Sequence, residues 1–250
     1  MSLFVIGDLH LCYGVPDKTM EIFGGWDNYQ QRIIENWQNT VSKDDTVVIA
    51  GDVSWGMSLA QAYEDFRIIN ELPGTKIILK GNHDYWWTTK NKMDNFFAES
   101  GFETLNILHN NHYAYGKYAV CGTRGWVNMP DEPADAKVLG REAQRLDVSI
   151  KSAIDAGLEP IVFMHYPPIF AGSFNYDILD VLYRYKIKRC YYGHIHGAKG
   201  HSLAVKGCYD DIDFALVSGD YIQFVPLKVE QTVGNVEVSK FYRKVNKNML

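Results

Sequence analysis

The sequence predicts an α/β protein built on mixed β-sheets. Short β-branched or aromatic runs, each closely followed by Gly or a polar residue, alternate along the chain with segments of helical periodicity. Of the 250 residues, 46% are hydrophobic and 22% are charged, which is the balance of a globular protein with a sizeable core. Because no repeat, low-complexity tract or linker interrupts the pattern, we expect a single domain over residues 1–250.

Five runs have the composition of buried strands. They are Leu3–Ile6, Thr46–Ala50, Lys76–Leu79, Ile161–Met164 and Arg189–Tyr192. Each is followed within two residues by Gly or His, so these strands are predicted to end at turns that carry polar side chains.

Two segments between the strands have apolar residues at helical spacing. The first contains Ile33, Ile34, Trp37 and Val41, and the second contains Leu139, Ala143, Leu146, Ile150 and Ile154, followed by Gly157. Such stripes predict amphipathic helices that pack on a core, and a glycine just after the last apolar residue is a typical helix end.

The remaining predicted elements are strands. Residues 113–122 alternate around Gly116 and predict a hairpin. From Ser202 onward the sequence predicts consecutive strands, including Phe214–Val217 and Tyr221–Val225, and we expect a solvated tail with a basic excess over residues 228–250.

Charge and cysteine content exclude several classes of protein. A net charge of −5 and a pI near 5.9 argue against a protein that binds long nucleic acid through phosphate contacts. The four cysteines are scattered without a CxxC pair, which argues against a disulfide framework or a thiolate zinc site. The N-terminus lacks the features of a signal peptide and no run is long enough to span a membrane, so we expect a cytoplasmic protein with no membrane partner.

Polar residues that can bind metal follow the first three predicted strands. Asp8 and His10 lie two residues apart after the first strand, so an extended backbone would place them on one face. Gly51-Asp52 follows the second strand and Gly81-Asn82-His83-Asp84 follows the third, about thirty residues further on, which is one βαβ step. Since ligands bind at the carboxyl ends of strands in α/β sheets, these side chains are expected to meet at one edge.

The pattern continues in the second half of the chain. His165 follows one strand, and Gly193-His194-Ile195-His196 follows the next, again about thirty residues later. Five of the eight histidines are therefore predicted at strand ends: His10, His83, His165, His194 and His196. Ordinary core histidines do not explain that placement, whereas a metal site does.

The ordered series Asp-x-His, Gly-Asp, Gly-Asn-His-Asp, His and Gly-His-x-His resembles the calcineurin-like metallophosphoesterase superfamily. The motifs run from residue 8 to residue 196. The resemblance implies a four-layer α/β/β/α sandwich, in which two mixed β-sheets pack face to face with helices outside. It also implies a dinuclear metal site and phosphoester hydrolysis.

By this resemblance, Asp8, His10 and His196 would hold one metal ion, Asn82, His165 and His194 would hold the other, and Asp52 would bridge the two. Imidazole and oxygen donors without thiolate suit manganese, iron or zinc, and the sequence does not select among them. A hydroxide bridging the ions would attack phosphorus in a small phosphorylated substrate.

His83 follows a metal ligand without being one, and the resemblance makes it the acid that protonates the leaving group. In relatives a carboxylate often orients this histidine. Protein phosphatases carry Gly-Asp-x-x-Asp-Arg-Gly, but this chain has Gly51-Asp52-Val53-Ser54-Trp55-Gly56-Met57, without the second Asp and the Arg. This departure argues against a protein phosphatase. It leaves open whether Asp84 orients His83 or only forms a turn and helix cap.

Aromatic residues are frequent around the predicted site. Trp55, Trp86 and Tyr166 follow or closely follow motif residues, and they either pack in the core or form a stacking wall for a planar substrate group. Arg124, after the strand that ends near Cys121, either clamps phosphate oxygens or forms a surface salt bridge.

Two alternatives accompany the proposed hydrolysis of a small phosphorylated molecule. The same two-metal chemistry serves phosphodiesterases that act on nucleotides or nucleic-acid ends. The other alternative is a non-catalytic metal-binding scaffold for protein interactions, although such a protein should have lost ligands or His83. The sequence does not indicate an oligomeric state.

Overall fold

The computed structural model describes residues 1–126 and 135–229. Six α-helices are found there: α1 (Tyr29–Thr40), α2 (Tyr63–Glu71), α3 (Lys90–Glu99), α4 (Ala136–Asp155), α5 (Tyr176–Arg184) and α6 (Gly197–Leu203). The strands of the first half are β1 (Leu3–Ile6), β2 (Thr46–Ile49), β3 (Thr75–Ile78), β4 (Leu105–Ile107), β5 (Tyr113–Tyr115) and β6 (Tyr118–Thr123). Those of the second half are β7 (Glu159–Met164), β8 (Ile169–Phe170), β9 (Ser173–Phe174), β10 (Arg189–Tyr192), β11 (Gly207–Tyr209), β12 (Ile212–Leu216) and β13 (Leu227–Lys228).

Two large mixed sheets organise the chain. The first has the strand order β13-β1-β2-β3-β4, in which β1 to β4 are parallel and β13 is antiparallel to β1. The second has the order β11-β12-β10-β7-β6-β5, with a parallel centre of β12, β10, β7 and β6. Its two edge strands, β5 and β11, are antiparallel to their neighbours. The predicted mixed α/β fold is confirmed.

Alternation along the strands produces four layers. In β1, Leu3 and Val5 belong to the core between the sheets, where they join residues such as Phe163 and Tyr191 of the second sheet. Phe4 and Ile6 point the other way, into a core shared with the helices of the first sheet. A third core joins the second sheet to α4 and α5. Two sheets packed face to face with helices outside is the predicted architecture.

The two sheets are joined at the edge where their parallel strands end. The backbone N–H of Gly7 donates to the carbonyl of Val217 at 2.8 Å, which links the end of β1 to the end of β12. The loops after β1 and β2 continue the parallel pairing, since the N–H of Asp8 donates to Gly51 and that of His10 to Asp52. Loops from both sheets therefore meet at one edge, where ligands of parallel sheets bind.

One predicted strand is wrong. Residues 221–225 form a turn, and Gln223 and Phe224 have φ values of 56° and 59°, which a strand does not allow. Phe224 is fully buried among Trp26 and Tyr29, so this apolar segment packs in the core as a turn. Ser202 also lies in α6 and not in a strand.

Two further expectations concern the basic tail and membrane-spanning helices. The basic residues of the tail from position 230 onward lie outside the described residues. Among the described helices, none has both the length and the apolarity needed to cross a membrane.

Candidate active site

Loops at the ends of five parallel strands bring the seven predicted metal ligands to one edge. The residues are Asp8, His10, Asp52, Asn82, His165, His194 and His196. Asp8, His10, Asp52 and His194 adopt left-handed backbone with φ between 46° and 71°. For non-glycine residues this conformation costs about 1–3 kcal/mol each, and it clusters at functional sites where the surroundings enforce it.

Two groups of potential ligands form within this edge. Asp8, His10 and His196 each offer one atom such that all three lie within 4.8 Å of one another, and so do Asp52, His165 and His194. The first group is the predicted first metal site. In the second, the predicted ligand Asn82 places Oδ1 2.6 Å from Nε2 of His165.

Asp52 belongs to the second group and also lies close to His10 of the first. Its Oδ1 accepts a hydrogen bond from the backbone N–H of His83 at 2.8 Å. Its Oδ2 lies 3.6 Å from Nε2 of His10 and 3.5 Å from Nε2 of His165. This oxygen is buried and has no hydrogen-bond partner among the described residues. It is therefore free to bridge two cations.

The arrangement around His165 is that of a metal ligand. Its Nδ1 lies 3.0 Å from the carbonyl oxygen of Ala50, which can only accept, so Nδ1 carries the proton. Burial lowers the pKa of His165 to about 3, so Nε2 carries a lone pair and no proton; Nδ1 of His194 lies 3.2 Å from it. Nε2 and the Asn82 oxygen are then two acceptors facing each other, as ligands do around a cation.

Electrostatics also favour a bound cation. Burial raises the pKa of Asp8 to about 7, with a further contribution from Asp52, and burial raises the pKa of Asp52 to about 6. Burial and neighbouring histidines keep the pKa values of His10 and His194 well below their usual range. Two buried carboxylates are thus surrounded by mostly neutral imidazoles, and divalent cations bound among them would compensate their charge.

His83 lies beside these groups without joining them. Its half-buried ring contacts Trp55 at a centroid distance of 4.5 Å and lies 5.7 Å from the ring of His10. Its Nδ1 has no hydrogen-bond partner in the described part of the chain.

Asp84 does not orient His83. Its carboxylate accepts hydrogen bonds from the backbone N–H groups of Asp52, Val53 and Gly81 at 2.7–2.9 Å and from the Trp86 indole at 2.9 Å. Of the two roles open for Asp84, the structure supports the local structural one: it holds together the loops after β2 and β3, and so positions Asp52.

The same two loops approach so closely that only glycine fits at position 81. A Cβ atom there would collide with the backbone nitrogen and the carboxylate of Asp52. We expect Gly81→Ala to lower the free energy of unfolding by about 2 kcal/mol or more, as overpacked sites do, and to weaken metal binding. Denaturant unfolding and calorimetric metal titration measure both effects.

Gly140→Ala is the matched control for this change. Gly140 lies in α4, and a Cβ atom there would meet nothing within 4 Å. The substitution should leave metal binding unchanged and stabilise the helix by up to about 1 kcal/mol. Equal stability of Gly81→Ala and wild type would contradict the close approach.

The predicted aromatic residues divide into two groups. Trp86 is buried against Phe66 and Trp87 and donates to Asp84, so its prediction as a substrate-stacking residue is corrected: it belongs to the core. Trp55 stacks on the ring of His10 at 4.9 Å and an interplanar angle of 23°. Tyr166 lies 4.2 Å from the ring of His194. Both therefore line the ligand groups directly.

Arg124 lies further along the same edge. Its guanidinium packs over Trp126 at 4.6 Å and lies 3.5 Å from a carboxylate oxygen of Glu142. Its side chain is 14% exposed, so the ion pair with Glu142 is largely buried and does not lie on the surface as the predicted salt bridge would; the alternative role, in phosphate binding, stays a prediction.

Sequence reasoning missed two residues of the site. Asp220 follows β12 and places Oδ1 3.0 Å from Nδ1 of His196, while Oδ2 accepts from the Gly197 N–H. Trp26 is buried with its ring edge-on to His10 and His196, at 5.7 and 5.4 Å. Asp220 could have been predicted as a site residue because it closely follows a predicted strand. Trp26 could not, because no motif or strand end lies next to it in the sequence.

Asp220 is expected to act as a positioning residue for His196. A carboxylate on the outer nitrogen of a ligand histidine fixes its tautomer and ring orientation, and losing it costs about 10–100-fold in metal affinity. We expect Asp220→Asn to weaken metal binding by that factor, measured by competition with a chelating dye. Asp213→Asn, on β12 itself, is the control and should bind metal as wild type does; equal affinity of both variants would contradict the role of Asp220.

Comparison with known proteins places the fold and the motifs in one class. The family described as calcineurin-like phosphoesterase matches residues 1–198. The chain therefore belongs to the calcineurin-like phosphoesterase family, a class of metal-dependent phosphohydrolases, and the resemblance seen in the motifs is confirmed.

Individual similar proteins are more distant. The Gene 66 protein of Mycobacterium phage L5 is 35% identical over 80 residues, which are 31% of this chain and 37% of the phage protein, so the match spans little more than a third of that protein. The structure of phosphopantetheinyl hydrolase PptH from Mycobacterium tuberculosis has a TM-score of 0.55 at 14% identity, covering 93% of this chain and 96% of that chain. A protein of unknown function from Aquifex aeolicus, AQ665, has a TM-score of 0.48 at 14% identity, covering 99% of each chain. The similarity to PptH supports the fold.

Proposed function

We propose that the chain hydrolyses a phosphoester bond in a small phosphorylated substrate with two divalent metal ions. The observation that carries this proposal is Asp52, whose buried Oδ2 has no hydrogen-bond partner among the described residues and lies 3.6 and 3.5 Å from histidines of two separate ligand groups. A carboxylate shared in this way is what a two-metal phosphoesterase requires.

Residues of both groups would hold the ions. Asp8, His10 and His196 would bind one ion, Asn82, His165 and His194 the other, and Asp52 both. Nitrogen and oxygen donors without thiolate suit manganese, iron or zinc. When bound, the ions would supply stabilisation of phosphoryl charge and a water of lowered pKa.

The other residues of the site would orient the ligand histidines, line the site or transfer a proton. Ala50 fixes the Nδ1 proton of His165, and Asp220 orients His196 from outside. Trp55 and Tyr166 line the ligand groups and limit the water that reaches them. His83, next to this region but outside both groups, would give a proton from its imidazole to the leaving-group oxygen.

The test is a comparison of two substrates with purified, manganese-loaded protein. We would measure kcat/KM for p-nitrophenyl phosphate and for bis-p-nitrophenyl phosphate, together with the number of ions bound per chain. His10→Ala is the control for contaminating phosphatase, because it removes one ligand of the first group.

We expect about two ions per chain and a higher kcat/KM for the monoester than for the diester. His10→Ala should lose this activity. A preference for the diester would instead support a phosphodiesterase. Near-zero metal binding with no turnover of either compound would overturn the proposal in favour of a non-catalytic scaffold.

A further inference from the structure

A small cavity lies beside the ligand groups, at the ends of β3, β4 and β6. Lys80, His109, Arg124, Glu142 and Arg145 are among its lining residues. Its volume of about 10 Å³ holds roughly one water molecule. Lys80 stands two residues before Asn82, so no more than ~7 Å of backbone separates the cavity wall from the second ligand group.

Positive charge around this cavity exceeds negative charge. Glu142 is its one acidic lining residue and is fully buried. Its Oε2 accepts from the Thr123 hydroxyl at 2.7 Å and its Oε1 from Arg145 at 2.7 Å. The same Oε1 lies 3.5 Å from the Arg124 guanidinium, so among the described lining residues the single carboxylate of Glu142 faces the three cations Lys80, Arg124 and Arg145.

Two of these cations are poorly satisfied within the protein. Nε of Arg124 is buried and has no partner in the described residues. Nζ of Lys80 makes no hydrogen bond or ion pair among residues 1–126 and 135–229. Asp84 and Glu142 act on Lys80 electrostatically, but the oxygens of Asp84 accept from backbone N–H groups and Trp86, and Glu142 is shared with both arginines. A surplus of partly buried positive charge is costly, which indicates that an anion completes the cluster.

A continuous row of rings connects this cluster to the ligand groups. The ring of Tyr166 lies 4.2 Å from that of His194 and 5.5 Å from that of Trp126, which in turn lies under the Arg124 guanidinium at 4.6 Å. The backbone N–H of Tyr166 also donates to the carbonyl of Arg124 at 2.9 Å. A substrate lying along this row would reach both regions.

We propose that Lys80, Arg124 and Arg145 bind a second anionic group of the substrate, a phosphoryl group that is not cleaved. This inference rests on the proposed function of the neighbouring site. A phosphate dianion matches the uncompensated charge, and guanidinium groups bind its oxygens through paired N–H donors. One oxygen fits the cavity, the rest of the group lies at its opening, and the part of the substrate between the two anions packs on Tyr166 and Trp126.

The test uses adenosine 3′,5′-bisphosphate and adenosine 5′-monophosphate as probes. Their inhibition constants against p-nitrophenyl phosphate hydrolysis are measured for wild type and for the double variant Lys80→Gln/Arg145→Gln. The matched control is Arg184→Gln, whose side chain pairs with Asp147 on the outer surface. Calorimetric binding of both probes to the metal-free proteins gives a second readout that needs no catalysis.

We expect wild type and Arg184→Gln to bind the bisphosphate about ten-fold or more tightly than the monophosphate, and the double variant to lose most of that ratio. An equal affinity for both probes in wild type, or a ratio unchanged in the double variant, would overturn the inference. So would binding of inorganic phosphate at this cluster without any advantage for the bisphosphate, because the anion would then be a free one.

The calorimetric readout separates this inference from the proposed function. Turnover of p-nitrophenyl phosphate without a bisphosphate advantage would reject the anion site alone. A bisphosphate advantage that depends on Lys80 and Arg145, in a protein that hydrolyses neither aryl phosphate, would reject the proposed reaction and retain the anion site.

Discussion

Asp52→Asn is expected to lose both metal and activity, with kcat/KM falling about 1,000-fold or more. The substitution keeps the size of the side chain and the hydrogen bond from the His83 N–H, but it removes the charge of the oxygen that lies between His10 and His165. A neutral amide cannot compensate two dications, so at least one ion per chain should be lost. Metal analysis and kcat/KM for p-nitrophenyl phosphate measure the two effects together.

The same variant should be at least as stable as wild type when metal is removed. The raised pKa of Asp52, about 6 against 3.8, means that the folded protein binds this proton more tightly than the unfolded chain, so stability falls as the pH rises from 3.8 through 6 and the ionised carboxylate carries the whole cost at pH 7.5. Asparagine removes that cost. Thermal unfolding in chelator at pH 7.5 should give a Tm equal to or above that of wild type, whereas added manganese should raise the Tm of wild type more.

Asp155→Asn is the control for these measurements, since Asp155 lies on the surface, where it forms an exposed ion pair with Lys151. It should keep metal content, activity and Tm near wild-type values. If Asp52→Asn retained two ions per chain and normal turnover, the bridging role of Asp52 would be refuted.

His83→Ala is expected to keep both ions and lose turnover. The imidazole contacts Trp55 and lies near His10, yet it belongs to neither ligand group, and its backbone N–H still reaches Asp52 when the ring is removed. General acid catalysis contributes about 100- to 10,000-fold, and most where the leaving group is a poor one. The kcat for phenyl phosphate should therefore fall much further than the kcat for p-nitrophenyl phosphate.

His112→Ala serves as the matched histidine variant. His112 bonds to Ser152 through Nδ1 and lies in neither ligand group. It should leave both rates unchanged. An equal loss on both substrates in His83→Ala would show that His83 organises the site without donating the proton, and loss of metal would show that it is needed for binding the ions.

Much of the fold was predictable because strand signals are local. The run Thr46–Ile49 is β-branched and mostly buried, and Ala50 alone separates it from the glycine that precedes Asp52. Which of the two cores a side chain enters cannot be read from the residue type. Val5 joins the core between the sheets and Ile6 the core under the helices, although both are β-branched aliphatic residues. Residues 221–225 misled for the same reason, since Phe224 is buried by Trp26 and Tyr29 from the other end of the chain.

The site was predictable as far as its donor atoms are concerned. Strand-end motifs identified the residues that the structure brings together, although their roles as ligands remain predictions. The supporting contacts depend on distant pairs and were not predictable, as Asp220 with His196 and the packing of Trp26 on His10 show. Asp84 was noticed, but its engagement by backbone N–H groups of two loops required coordinates.

The division of the chain between the two sheets constrains how the site assembles during synthesis on the ribosome. Asp8, His10, Asp52 and Asn82 follow strands β1 to β3 of the first sheet, which are made early, and His165, His194 and His196 follow β7 and β10 of the second sheet, which are made later. An emerging chain that ends before β7 has four of the seven donors, and only β5 and β6 of the second sheet are there to cover the inner face of the first. Metal acquisition should therefore be a late event that follows docking of the second sheet. Once bound by donors from both sheets, the metal should oppose their separation during unfolding.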